Sequence, residues 1–134
     1  MDPEILRLMK DDPFGARLGI ELVEVEEGRA VARMPVDDTH RNFLGTVHGG
    51  AIFALADIAF GAAANSHGMR CMAFHISIEF LAAPGDTPFL EAEVKEDGRA
   101  GRAGHFRMEV RDSGSRVVAV LNGWAYRTDK PLAG

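Results

Sequence analysis

The sequence predicts an α+β domain in which an antiparallel curved sheet wraps around one long central helix. Two alternating segments, 89–95 and 105–111, are typical of strands with one covered face and one wet face. The apolar run from Gly49 to Asn65 is rich in alanine and glycine and indicates a buried helix. The predicted strands precede and follow this helix, an order that favours one antiparallel sheet with the helix on one face.

The composition is that of one globular domain. The chain has 134 residues, of which 46% are hydrophobic and 26% charged, so we expect a single domain over residues 1–134. The net charge of -5 argues against a nucleic-acid partner. The only cysteine, Cys71, excludes an intramolecular disulfide and a cysteine-based metal site. The first residues do not form a secretory signal and Asp57 interrupts the longest apolar run, so we expect a cytoplasmic protein with no membrane contact.

A short helix and a hairpin are predicted before the long helix. Asp2 is a suitable N-cap with Pro3 at the first helical position, and Asp12-Pro13 ends that helix. Two strands follow over 18–26 and 29–36.

The long helix is predicted over 50–67, after a polar loop at 37–47, with Gly68 placed to end it. Four strands are predicted after it, over 72–81, 89–95, 105–111 and 117–126. The helix is apolar on every side, which indicates burial all round. Because one sheet covers only one side of a helix, we infer that a second copy covers the other side and that the protein is at least a dimer.

Asp57 is the only ionisable side chain between Gly49 and Ala64. A buried carboxylate needs partners or a shifted pKa, because burial without a partner costs several kcal/mol. One interpretation is a structural aspartate that bonds to a loop or to a dimer mate. The other is a general base or nucleophile held on a rigid helix in a dry cleft.

The turn His48-Gly49-Gly50 lies where the loop becomes the helix. Free N–H groups at a helix start, together with the helix dipole, form a site for developing negative charge, and glycines allow a carbonyl to approach closely. The dipeptide is equally compatible with a simple tight turn. Asp57 lies eight residues beyond Gly49, about 12 Å along a helix, so we expect any joint site to combine two subunits.

The run from Asn42 to Asp57 closely resembles the signature of hotdog-fold thioesterases, and it is most similar to the phenylacetic-acid-degradation (PaaI-type) branch. The similarity extends through 63–66 and 78–87 and covers most of the chain from Leu18 to Tyr126. It implies hydrolysis of an acyl-CoA thioester, of aryl, phenylacetyl or medium-chain type, to a free acid and coenzyme A.

The resemblance also implies roles for the residues that match the signature. Asp57 matches the catalytic carboxylate, which activates water or attacks directly. The Gly49 amide matches the donor to the thioester carbonyl, with Gly50 next to it. Asn42 matches the loop amide that positions water or substrate, and His48 matches the histidine at the helix entry. For His48, a structural cap is an equal alternative.

Four further side chains are candidates for substrate binding. Some relatives place a serine or threonine near the start of the strand after the helix. Here His75 and Ser77 are the candidates for that role. Together with Glu79 they share one face of the strand, which is equally compatible with an ordinary polar or interface face. Arg99 and Arg102 lie in the glycine-rich segment 97–104 and are candidates to hold the phosphates of coenzyme A. A solvated hairpin tip is the alternative for these arginines.

Two other functions stay open at this point. One is a hotdog dehydratase or hydratase, in which His48 would have to reach the acyl chain. The other is a non-catalytic module that binds acyl-CoA. No cofactor is expected, because coenzyme A is part of the substrate, and the histidines lack the spacing of a metal site. The resemblance further implies a homo-oligomer, either a dimer or a tetramer built as a dimer of dimers.

Overall fold

The computed structural model describes residues 1–133, which form three α-helices and six strands. The helices are α1 (Pro3–Lys10), α2 (Pro13–Leu18) and α3 (Gly49–Asn65), and a short 3-10 turn spans Asp38–His40. The strands are β1 (Glu21–Glu26), β2 (Arg29–Pro35), β3 (Met69–Phe80), β4 (Phe89–Ala100), β5 (Ala103–Asp112) and β6 (Val117–Pro131).

The six strands form one antiparallel sheet in the order β1-β2-β4-β5-β6-β3. Helix α3 packs across its concave face and contacts all six strands. The fold class predicted from the alternating strands and the single long helix is confirmed. Strand β3 pairs only with β6, so it forms one edge of the sheet.

Alanines allow α3 to lie close to the sheet. Ala56, Ala59 and Ala63 are completely buried on the helix and belong to the same core cluster as Ala32 on β2 and Ala92 on β4, which are also completely buried. Because alanine adds only one methyl group, the helix backbone approaches the sheet without leaving voids.

The large side chains of the core lie beside this alanine contact. The rings of Phe60 on α3 and Phe106 on β5 are 5.2 Å apart between centroids. Gly123 on β6 lies under Phe60: a Cβ at this position would be 2.8 Å from two atoms of the ring and 2.6 Å from Met108. The absence of a side chain at Gly123 is therefore what makes room for the Phe60 ring.

The side of α3 that faces away from the sheet is uncovered within one chain. Gly50, Asp57 and Gly61 are exposed, and Phe53 and Ile58 beside them are half-buried. This open side agrees with the expectation that one sheet covers only one side of the helix, and coverage of the other side by a second copy stays a prediction. The apolar residues of α3 therefore include a stripe that the sheet of the same chain does not cover.

The N-terminal region differs from the prediction at Asp12-Pro13. This dipeptide does follow the first helix, but it also begins α2, because Asp12 accepts a hydrogen bond of 2.9 Å from the Gly15 amide and Pro13 occupies the first helical position. The strand predicted from Leu18 consequently begins only at Glu21. The predicted N-cap Asp2 is confirmed, since its carboxylate accepts from the Glu4 amide at 2.8 Å.

Strands β3 to β6 are longer than predicted. The segment 97–104 was predicted as a turn, but most of it is paired, with β4 running to Ala100 and β5 starting at Ala103. Its glycines do not end the strands. The pairing of β4 with β5 continues to Ala100 and Ala103, with one irregularity between Glu96 and Gly98.

Helix α3 starts one residue earlier than predicted and ends earlier, at Asn65. Gly68 lies just beyond with a φ of 92°, and its amide donates to the Asn65 carbonyl at 3.0 Å. None of the helices within residues 1–133 has the length and apolarity that a bilayer span requires.

We expect Gly123→Ala to lower the free energy of unfolding by about 1–3 kcal/mol, because the new methyl group overpacks the buried Phe60 ring. Urea denaturation followed by circular dichroism measures the change. Gly98→Ala is the matched control, since no atom lies within 4 Å of a Cβ at that position in β4. Equal stability of the two variants would contradict this account of the core.

Candidate functional site

His48 caps the start of α3. Its Nδ1 accepts a hydrogen bond of 2.8 Å from the Gly50 amide, and its carbonyl accepts from the amides of Ala51 and Ile52 at 3.0 and 3.2 Å. An Nδ1 that accepts leaves the ring proton on Nε2 in the neutral form. Gly50 is therefore not a free donor, whereas the Gly49 amide has no acceptor among residues 1–133.

The free Gly49 amide lies in an apolar groove of about 360 Å³ between the start of α3 and the end of β3. Val47, Ile52 and Phe80 contribute to its walls. A Cβ at Gly49 would come within 3.2 Å of the Phe80 ring, so the glycine keeps this approach to the backbone open. An unpaired donor at the positive end of a helix, in apolar surroundings, favours an oxygen that carries negative charge.

Asp57 lies in a second and larger cleft, of about 530 Å³, between α3 and the junction of α1 and α2. The walls near it are mostly apolar and include Leu8, Met9 and Ile58. No donor among residues 1–133 bonds to its carboxylate. The prediction of a buried carboxylate needs correction, because the residue is exposed in one chain.

The pKa of Asp57 is nevertheless raised above its ordinary value. The first cause is desolvation by the surrounding protein atoms, and the second is repulsion from the nearby carboxylate of Asp12. The Asp57 carboxylate touches water at the mouth of the cleft, but the protein atoms around it still desolvate its charge. The direction of the shift agrees with a carboxylate at the mouth of a mostly apolar cleft.

The two groups occupy different clefts of the same chain. Gly49 is the first residue of α3 and Asp57 lies eight residues further along the same helix, about 12 Å away. A reacting carbonyl must lie about 3 Å from the donor that stabilises its oxygen. One chain therefore does not bring both groups to the same atom.

Asn42 organises its own loop. Its Oδ1 accepts hydrogen bonds from the Leu44 and Thr46 amides, at 3.0 and 3.2 Å, and from the Thr46 hydroxyl at 3.1 Å. This leaves the side-chain NH₂ group as the part of Asn42 that can meet a ligand. The structure thus gives Asn42 a loop-holding role in addition to the role that the signature implies.

His40 connects this loop to the rest of the fold, a role that the sequence pattern did not predict. It is 4% exposed, and its Nε2 lies 2.7 Å from the Leu18 carbonyl while its Nδ1 accepts from the Asp37 amide at 3.1 Å. Its own carbonyl accepts from the His48 amide at 2.7 Å. His40 therefore fixes the position at which α3 begins, a role that becomes visible only through contacts distant in sequence.

His75 and Ser77 lie away from both clefts. Ile76 and Ile78 pack against the core, so the alternating His75 and Ser77 are on the opposite face of β3. His75 is paired with Trp124 across the strands. Within one chain the structure does not bring the two side chains near Asp57 or Gly49.

Arg99 and Arg102 lie near the β4–β5 turn, and each has a carboxylate partner. Arg99 is 3.3 Å from Glu96, and Arg102 is 2.6 Å from Asp129. Both ion pairs are at the surface, where such pairs contribute little and exchange readily with another anion. Among residues 1–133 no group of three His, Cys, Asp or Glu side chains is arranged to hold a metal ion.

Comparisons with known proteins agree with this geometry. A family model described as "Domain of unknown function (DUF4442)" matches residues 6–123. A putative esterase of Archaeoglobus fulgidus is 35% identical over 123 residues, which cover 92% of this chain and 80% of the relative. Acyl-coenzyme A thioesterase PaaI of Escherichia coli is 32% identical over 129 residues, which cover 95% of this chain and 91% of the relative.

The solved structure of the E. coli PaaI protein from the phenylacetic acid degradation operon superimposes with a TM-score of 0.88 at 28% identity. The match covers 94% of this chain and 91% of that one. Both chains thus share the hotdog fold over nearly their whole length, which confirms the resemblance based on residues 42–57. The chain belongs to the DUF4442 family and, among hotdog-fold thioesterases, to the PaaI-type branch.

Proposed function

We propose that this protein is an acyl-CoA thioesterase that hydrolyses the thioester bond to release a free acid and coenzyme A. The observation that carries the proposal is the unpaired Gly49 amide at the start of α3, in an apolar groove open to a ligand. Membership of the PaaI-type branch supports the reaction class, since the E. coli relative is an acyl-coenzyme A thioesterase.

In the proposed reaction the thioester oxygen accepts a hydrogen bond from the Gly49 amide. Addition to the carbonyl carbon moves an electron pair onto this oxygen, and the amide with the helix dipole stabilises the resulting charge. Asp57 serves either as the base that takes a proton from the attacking water or as the nucleophile itself. Collapse of the adduct breaks the carbon–sulfur bond, and the departing sulfur takes up a proton to give the thiol of coenzyme A. If Asp57 is the nucleophile, this step leaves an anhydride between the acyl group and Asp57, and a water molecule then hydrolyses it to the free acid and restores the carboxylate.

We propose that the working site lies between two copies of the chain. The uncovered stripe of α3, with Asp57 and Ile58, adjoins the free edge strand β3, whose Cys71 and Ala73 line the same cleft. A second copy that covers this surface by a two-fold axis would place Asp57 of one subunit opposite Gly49 of the other. Further pairing of dimers into a tetramer is part of the same proposal.

The substrate proposed is an aryl or phenylacetyl thioester, or one with a medium-length acyl chain. The apolar walls of both clefts support an apolar acyl group. Arg99 and Arg102 would hold the phosphates of coenzyme A by exchanging their present carboxylate partners, and the NH₂ group of Asn42 would contact water or substrate. We also propose a cytoplasmic enzyme, because the single free Cys71 fits a reducing compartment.

The dehydratase alternative is less well supported by the geometry. Such a reaction needs a histidine that exchanges protons with carbon atoms of the acyl chain. The His48 ring has one nitrogen bonded to the Gly50 amide, as a helix cap. Release of thiol from a thioester panel, rather than addition of water to an enoyl thioester, separates the two reactions.

We expect Asp57→Asn to lower kcat at least about 100-fold, because the amide cannot act as a base or nucleophile. Desolvation and repulsion from Asp12 raise the pKa of Asp57 in one chain, so its charged form is lost as pH falls through a value above that of an ordinary aspartate. The acid limb of the pH profile of kcat/KM should therefore lie at a higher pH than an ordinary aspartate would give. Thiol release from phenylacetyl-CoA measures both effects.

Glu21→Gln is the control for this variant, since it also exchanges a carboxylate for an amide at an exposed position of β1. Size-exclusion chromatography checks that Asp57→Asn keeps the oligomer. Wild-type turnover by Asp57→Asn would rule out the proposed role.

We expect Gly49→Pro to lower kcat by about 100-fold to 1000-fold, because proline removes one donor to the thioester oxygen. Proline is favoured at the first position of a helix, and the ψ of 133° at His48 suits a residue before proline. Gly49→Ala is the control, because it keeps the N–H while adding a Cβ at the same place. If the two variants lose activity equally, the loss results from contact of the added side chain with Phe80 and not from the missing N–H group.

Mixing the two inactive variants tests the shared site. A dimer of one Asp57→Asn chain and one Gly49→Pro chain holds one complete site if each site combines two chains. Unfolding and refolding an equal mixture should therefore restore about a quarter of wild-type activity by random pairing. No recovery, with mixed dimers verified by mass spectrometry, would place the whole site within one chain.

We expect His48→Asn to keep most of the activity and His48→Ala to lose both activity and about 1 kcal/mol of stability. Asparagine can still accept from an amide at the helix start, whereas alanine leaves the Gly50 amide without its partner. Thermal unfolding and thiol release measure the two effects. Complete inactivity of a stable His48→Asn variant would instead indicate a chemical role for the imidazole.

A further inference from the structure

We propose that Asp12 is a positioning residue for the thioesterase reaction, because α2 holds its carboxylate in the cleft that contains Asp57, where its like charge acts on the Asp57 carboxylate. This inference rests on the proposed function of Asp57. It concerns a residue outside the signature run 42–57, on a helix that the sequence pattern did not predict.

Asp12 is held in place by its own helix. It is the N-cap of α2, and its Oδ1 accepts a hydrogen bond of 2.9 Å from the partly buried Gly15 amide. Helix α2 in turn lies directly on α3, since a Cβ at Gly15 would be only 2.9 Å from Cδ1 of Ile58. Ile58 is the residue after Asp57, so this contact fixes the helix that carries Asp12 beside the helix that carries Asp57.

Among residues 1–133 no lysine or arginine lines the cleft beside Asp12. Both Asp12 and Asp57 line the cleft of about 530 Å³, and neither forms an ion pair with a cation among residues 1–133. The other titratable groups that line it are Asp11, at the end of α1, and Cys71, on β3. Burial raises the pKa of the Cys71 thiol, so this side chain is uncharged near neutral pH.

The like charge has a chemical consequence for the reaction. A negative group nearby makes protonation of Asp57 more favourable, and repulsion from Asp12 is the second cause of its raised pKa, after desolvation. A carboxylate with a higher pKa removes a proton from water more readily. Asp12, at the junction of α1 and α2, therefore acts on the charge of Asp57 and also lines the cleft.

Asp12→Asn isolates the charge, because asparagine is as good an N-cap as aspartate and keeps the bond to Gly15. The pH dependence of kcat/KM and the carboxyl ¹³C NMR titration of Asp57 in the protein without substrate are measured in parallel. We expect both the acid limb of the rate profile and the Asp57 titration to move to lower pH. Asp12→Ser, which also caps a helix, should give the same shift.

Asp11→Asn is the matched control, since it removes a neighbouring carboxylate that lines the same cleft but is not a cause of the shift at Asp57. An Asp57 titration that is the same in Asp12→Asn and wild type, or that moves equally in Asp11→Asn, would overturn this inference. A shifted titration with an unmoved rate profile would overturn it as well. Full turnover by Asp57→Asn would instead overturn the proposed function, while the NMR titration would still report whether Asp12 acts on Asp57.

Discussion

The close contact between the alanine face of α3 and the sheet positions the two candidate groups on this helix, Gly49 and Asp57. Because Ala56, Ala59 and Ala63 bring the helix backbone near the strands, the start of α3 meets the end of β3 at Phe80, and its opposite stripe remains uncovered. Larger side chains on the sheet side would lift the helix and separate Gly49 from its groove. The room left by Gly123 under Phe60 belongs to the same packing arrangement.

Two polar groups are left without partners on this otherwise well-bonded helix. The His48 cap satisfies the Gly50 amide but not the Gly49 amide, and Asp57 has no donor in its cleft. An unpaired donor at the positive end of a helix and an unpaired carboxylate at the mouth of a mostly apolar cleft are both suited to contact a ligand. The spacing of these two groups along one rigid helix supports a site completed by a second subunit.

The segments around α3 hold it in a definite position. His40 bonds to the Leu18 carbonyl at the end of α2 and to the amide of His48, so the loop before α3 is tied to the N-terminal helices. Helix α2 packs on α3 through Gly15 and Ile58. The N-terminal helices thus influence both the start of α3 and the cleft around Asp57, although neither α1 nor α2 lies within the signature run 42–57.

The sequence by itself determined the order of the strands and the long helix, the start of α3 at the His48-Gly49-Gly50 turn and the isolated charge of Asp57 on that helix, because periodicity, capping and an isolated charge are local properties. Asp12-Pro13 has the same capping pattern as Asp2-Pro3, so α2 also agrees with the local sequence. Only the tertiary structure decided that Asp57 opens to a cleft within one chain and that His75 and Ser77 face away from it. The proximity of Asp12 to Asp57, which are 45 positions apart, likewise depends on how α2 packs against α3. Local patterns specify which residues share a face of an element, whereas packing decides what that face meets.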